Sequence, residues 1–158
     1  MKRNIPFISV LIIFYFCSTN YSFSQSDKTI ILDGIVYQAN VDAPLTDKED
    51  KMIREVYGDN TQKVVFENPQ LLKDLKSLLR NRMEIIQISD PMKQKATKML
   101  SEMPLNNQYN PNLKRSVFKD VESFNPLVYS LDFFAKGSYL YRIDNTDYFI
   151  KIISQYRQ

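Results

Sequence analysis

One cysteine occurs in this chain of 158 residues, at position 17, and it sets the terms on which the chain can fold. Everything after Cys17 must hold together without a disulfide, so a hydrophobic core has to supply the stability. The cysteine also falls in a segment that does not read as part of a folded body. Lys2 and Arg3 open the chain with positive charge, and the run from Ile5 to Phe16 carries none. A short polar stretch then ends in Ser22-Phe23-Ser24, with small residues at the two positions a signal peptidase reads. This is the three-part pattern of a secretory signal, and it predicts cleavage after Ser24. A membrane-spanning helix would need about 20 apolar residues, more than the run supplies. Acylation of Cys17 would need a small residue before it, where Phe16 stands. Residues 1–24 are therefore expected to be a cleaved signal peptide and residues 25–158 one globular domain. The protein is expected to be secreted or periplasmic, without stable membrane insertion after cleavage.

Cleavage changes the charge argument. The chain has 21 Lys+Arg against 18 Asp+Glu, and loss of Lys2 and Arg3 leaves a near-neutral domain. The case for nucleic acid that a basic chain would raise disappears with them. What remains is uneven: Asp27 to Glu67 is net acidic and Lys73 to Lys98 net basic. Opposite solvated faces explain this; a bipolar surface for a charged partner is the sharper reading. The Asn-x-Ser/Thr match, Asn20-Tyr21-Ser22, lies inside the signal.

Periodicity and punctuation give the elements. Two β-prone runs flank Asp33-Gly34, a hairpin signal. Thr46-Asp47-Lys48-Glu49 fits a capping box and predicts a helix from Asp47 to Tyr57, ended by Gly58 in a left-handed cap. Lys63 to Phe66 reads as a short strand. Asn68-Pro69 is a cap residue followed by proline. Leu71, Leu72, Leu75, Leu78 and Leu79 then repeat at helical spacing, predicting a helix to about Arg82. Met83 to Ile88 reads as a buried strand, and strand–helix–strand order suggests a βαβ-like unit. Asp90-Pro91 repeats the cap signal, and Met92, Ala96, Met99, Leu100 and Met103 predict a third helix ending before Pro104. Residues 105–126 look irregular, either functional or packed by their own aromatics Tyr109, Phe118 and Phe124. Strands are expected over 127–134, 138–143 and 148–153, the last two joined by a turn at Asp144-Asn145-Thr146-Asp147. The fold class is α+β: about three helices and an antiparallel sheet completed by a C-terminal hairpin.

The residue inventory excludes much chemistry. There is no histidine, which removes Ser-His-Asp and Cys-His catalysis, histidine zinc sites and histidine-ligated haem. Loss of Cys17 removes thiolate catalysis and iron–sulfur clusters. The three glycines are scattered, so no phosphate-cradling loop can form. No cofactor or metal is implied. Asp47-Lys48-Glu49-Asp50 lacks the ligand spacing of a calcium loop and suits the first turn of a helix. Asp144 and Asp147 suit a turn. Ser77, Ser89, Ser101 and Ser116 carry no Ser-Lys motif. Lys93, Lys95 and Lys98 read as a solvated face, and the methionines at 83, 92, 99 and 103 as core. The C-terminal strands are rich in aromatics. Core packing is one reading of them; the other is an exposed patch for a protein or glycan partner, with Tyr139, Tyr141, Arg142 and Tyr148 as its candidates. The sequence favours a non-catalytic binding or accessory protein of the cell envelope. The alternative is a carboxylate-dependent, glycosidase-like hydrolase whose Asp/Glu pair spacing cannot reveal.

Overall fold

Local sequence sets the first long helix. In the computed structural model, which describes residues 30–156 apart from Asp33, α1 (Asp47–Tyr57) opens with a complete capping box. The Glu49 amide donates to the Thr46 hydroxyl at 3.2 Å, and the Thr46 amide donates to the Glu49 carboxylate at 2.8 Å. Ile53, Val56 and Tyr57 form its buried side. Gly58 ends it at φ +52°, ψ −134°. That conformation favours glycine, but its negative ψ is not the left-handed cap expected. The predicted signal peptide lies outside the described residues.

The hairpin predicted around Asp33-Gly34 forms from β1 (Ile30–Leu32) and β2 (Ile35–Tyr37), antiparallel with Leu32 opposite Ile35. Ile35 also bridges Tyr156 near the other end of the described chain. Lys63–Phe66 is not a strand: Gln62–Phe66 is a single π-turn with Val65 buried. It sits between a 3₁₀ turn at Gly58–Asn60 and the cap at Asn68, so its β-branched residues meet no neighbouring strand, and context overrides propensity.

The second helix, α2 (Pro69–Ser77), is capped by the Asn68 side chain, which accepts from the Leu71 amide at 3.1 Å. A π-turn, Leu78–Arg82, carries the helical path to Arg82, as the leucine stripe predicts. Leu75 and Leu78 are buried in the main core, and Leu71, Leu72 and Leu79 pack against it.

β3 (Met83–Gln87), β4 (Tyr139–Arg142) and β5 (Tyr148–Ile152) make an antiparallel sheet in the order β3-β5-β4. The βαβ-like unit is thereby corrected, since β3 pairs antiparallel with the last strand and Lys63–Phe66 supplies no parallel partner. β3 is half-buried, as an edge strand is, rather than buried throughout. Ile150, Ile152, Tyr141 and Ile143 point into the core. Phe149, on the opposite face, is also fully buried.

Two further expectations are corrected. The third helix, α3 (Pro91–Ala96), stops after six residues, and Leu100–Glu102 is a separate 3₁₀ turn. Between them Thr97 is extended, its hydroxyl donating back to the Lys93 carbonyl at 2.7 Å. Met92 is 81% and Met99 40% exposed, so the core expectation fails for these two, whereas Leu100 is buried and Met83 and Met103 pack against the core. Residues 127–134 begin as a 3₁₀ turn, Pro126–Val128, then alternate buried and exposed like a strand. They form an isolated antiparallel bridge, Leu105 with Tyr129, through Ser130 N–H to the Pro104 carbonyl and Asn106 N–H to the Val128 carbonyl, both 2.8 Å. The 105–126 segment is packed by its aromatics: Tyr109 stacks on Tyr57 at 5.4 Å, and Phe118 contacts both Phe124 and Tyr148.

Candidate functional site

The sheet leaves one edge open beside a groove. Ile88 N–H donates to the Asp147 carbonyl and Ile153 N–H to the Arg82 carbonyl, both at 2.8 Å. With the β3–β5 register, this aims the even-numbered residues 82–88 at β5. The N–H and C=O of Met83, Ile85 and Gln87 therefore face away from it. Among the described residues no strand pairs with that side. The other sheet edge is partly covered, since Arg142 N–H donates to the Lys98 carbonyl at 2.8 Å.

Beside the open edge lies a groove of about 270 Å³ between α1, Leu79, β3 and residues 121–126. Met52, Leu79, Met83, Ile85, Val121 and Phe124 give it an apolar lining; Lys48 and Glu49 stand at its polar end. Lys48 pairs with Glu122 at 2.7 Å. Glu49 accepts from Arg80 Nε at 2.6 Å and Nη2 at 2.7 Å. The same guanidinium donates to the carbonyls of Asn40, Ala43 and Pro44. Arg80 thus clamps the loop before α1 onto the end of α2. Its hydrogen bonds hold the Glu49 carboxyl below the usual range against the opposing effect of burial.

Two residues on, Arg82 is more buried, at 4% exposure. Its Nη1 donates to the carbonyls of Phe133 at 2.8 Å and Ile153 at 3.3 Å. Among the described residues its Nε and Nη2 have no hydrogen-bond partner. Burial lowers the guanidinium's pKa, opposed by Asp74, Tyr37 and Tyr156 nearby. Asp74 itself accepts from the Tyr37 hydroxyl and from Gln70 at 3.1 Å.

The aromatic partner candidates are placed as follows. Tyr141 is 2% exposed and donates to Asp132; burial first, then that hydrogen bond, pushes its hydroxyl up to about 12. It is a core residue, because alternation points it inward beside Ile150. Tyr139 and Tyr148 are half-buried against the same core. Arg142 lies on the other face, its Nε donating to the Thr146 carbonyl at 2.9 Å and Nη1 to that of Gln94 at 3.4 Å. The four do not converge. Asp144 accepts from the Ser101 amide at 2.9 Å and the Ser101 hydroxyl, and Asp147 from Gln87. Among the described residues no three His, Cys, Asp or Glu side chains gather as a metal site, and no helix is long and apolar enough to cross a membrane.

Arg82 was missed from sequence although a signal for it exists. It continues the stripe Leu75-Leu78-Leu79 one turn further, and a cation on the apolar face of a helix is a buried one. The open edge had no signal, because it depends on which strands pair. No protein-family model matches the chain, and neither the curated proteins nor the solved structures yield a match.

Proposed function

We propose that the chain is a small exported, non-catalytic binding or accessory protein of the cell envelope, and that the open β3 edge with its groove receives an extended segment of a partner protein. The observation that carries this reading is one residue doing two things: Ile85 turns its backbone N–H and C=O outward and its side chain lines the groove. Strand addition uses that pairing, with main-chain hydrogen bonds for affinity and side-chain pockets for selectivity. The segment's chemistry follows from the lining. It is uncharged, with apolar residues at alternate positions, because the rim charges Lys48 and Glu122 already satisfy each other. Export rests on the N-terminal signal pattern. The groove's carboxylate, Glu49, is held ionised by Arg80, the opposite of what a glycosidase general acid needs.

Selection from a displayed library of short peptides tests this reading. Peptides with alternating apolar residues should be enriched. Gln87→Pro removes an outward N–H without touching a backbone bond to β5, losing only the exposed side-chain bond to Asp147, and proline is tolerated at such edge positions. The variant should keep its melting temperature within a few degrees and lose affinity about tenfold, ~1.4 kcal/mol. No enrichment, or equal affinity in the variant, would sink the proposal.

A further inference from the structure

Arg80 and Arg82 offer a direct contrast within one turn. Each guanidinium presents Nε–H and Nη2–H side by side, a fork matched to the two oxygens of a carboxylate or a phosphate. Arg80 shows the fork filled, with Glu49 oxygens at 2.6 and 2.7 Å. Arg82 has the same two nitrogens shielded from solvent and, among the described residues, unpartnered, on a residue that is only 4% exposed. Buried polar groups in folded proteins are hydrogen-bonded as a rule, and an unpaired buried charge is the costliest exception. The Arg82 nitrogen that does bond, Nη1, is the one outside the fork.

Among the described residues, the surroundings supply no acceptor for it. Phe134 lies with its ring centroid 5.7 Å from the guanidinium, and an aromatic face offers no oxygen. Asp74 acts on Arg82 electrostatically, but its hydrogen bonds go to Tyr37 and Gln70. Tyr37 spends its hydroxyl proton on Asp74. Tyr37 of β2 and Tyr156 also act on Arg82 electrostatically, and their two segments are bridged where Ile35 pairs with Tyr156.

We infer that the Arg82 fork is a binding site for a small anion with a two-oxygen edge, a carboxylate or a phosphate, held on the side of Arg82 where Tyr37 of β2 and Tyr156 lie. The anion would accept from Nε and Nη2 as Glu49 does from Arg80. It would also neutralise the buried cation. This site is separate from the groove, so its occupant is a ligand of the fold rather than the strand proposed above.

The test uses the purified protein in dilute HEPES, titrated with sodium formate, acetate, phosphate or chloride at matched ionic strength. Arginine Nε–H signals are followed by ¹⁵N NMR, and melting temperature in parallel. The expected result is a saturable shift of the Arg82 Nε–H with an unmoved Arg80 Nε–H, and a rise in melting temperature. Formate and acetate outperforming phosphate would assign a carboxylate ligand; the reverse order would assign a phosphate. Arg82→Lys, which keeps the charge and loses the fork, should lose the rise. Equal responses to chloride and the oxyanions would overturn the inference, as would an Arg82 signal that never moves or a Lys variant that responds like the parent.

Discussion

Arg80 and Arg82 leave the same π-turn and meet opposite surroundings. The Arg80 region is closed on itself. Its guanidinium makes contacts to Glu49 and three loop carbonyls. The Arg82 region is buried more deeply and, among the described residues, leaves two of its nitrogens without an acceptor. The difference shows that burial alone does not mark an arginine as structural. What matters is whether its acceptors come from the chain. Where they do, the residue is a clamp; where they do not, the fold has enclosed a charge without its counter-ion, and something from outside is called for.

The largest expected effect lies on the closed side. Glu49→Gln should cost roughly 3–5 kcal/mol in urea unfolding, the range for breaking one half of a buried ion pair; both side chains are about a tenth exposed. The pH profile should change with it. The folded Glu49 carboxyl sits below its unfolded value, so its stabilisation is present above the ordinary carboxylate range and is lost as pH falls through the folded value. The Gln variant should lack that part of the acid limb. A cost under ~1 kcal/mol, with the acid limb unchanged, would mean that Arg80 clamps nothing and that the contrast has no closed side.

The two regions also differ in how they could be read from sequence. The capping box of α1, the Asn68-Pro69 start of α2 and the C-terminal hairpin each depend on residues within a few positions, and all were legible. Glu49 was assigned its capping role correctly, but its partner Arg80 lies 31 residues away, beyond any local signal. The failures share one cause. Lys63–Phe66 and residues 127–134 have strand composition without a strand beside them, and the methionine stripe after Asp90 has helical spacing broken at Thr97 by a side-chain bond to the backbone. Lys76, next to the buried Leu75 on α2, donates to the Ala43 carbonyl at 2.8 Å. It belongs to the same clamp as Arg80, which no spacing rule shows.

A smaller effect is expected at Tyr37, on the Arg82 side. Tyr37 is 1% exposed, and its hydroxyl joins Asp74 and Gln70. Tyr37→Phe should cost about 1–2 kcal/mol at neutral pH, one or two hydrogen bonds to a charged network. Burial first, then the Asp74 hydrogen bond, lifts the hydroxyl to about 12 from an ordinary 10.0. The proton is therefore held more tightly in the folded state. The stabilisation is full below pH 10 and falls away as pH rises towards 12. Denaturant titrations across that window should show a shallower fall for Tyr37→Phe, with the remainder owed to Tyr57, Tyr129 and Tyr141, whose hydroxyls burial also raises. Parallel curves for the two proteins would show that the Tyr37 hydroxyl is not held by Asp74 and that this side of Arg82 is looser than its contacts imply.

The smallest effect should come from the most buried cation. In anion-poor buffer, Arg82→Met should leave stability within about 1 kcal/mol of the parent, because two changes oppose each other. The variant loses the Nη1 bonds to the Phe133 and Ile153 carbonyls and the contact with the Phe134 ring, each worth about a kcal/mol or less. It also loses a buried charge with two orphan donors, whose removal is commonly neutral or stabilising when an apolar side chain of similar reach fills the space, and methionine adapts well to such sites. A loss as large as that of Glu49→Gln would mean the fork is satisfied inside the protein, and the two arginines would then differ in nothing but partner. The prediction sharpens with added anion. Ligand bound only by the folded state stabilises by mass action, so a carboxylate or phosphate in excess should raise the parent and leave Arg82→Met unmoved. The near-equality in dilute buffer should therefore open into a gap that grows with anion concentration, while the Glu49→Gln deficit stays constant against the parent, because that variant keeps Arg82. That divergence separates a fork waiting for a ligand from one already filled.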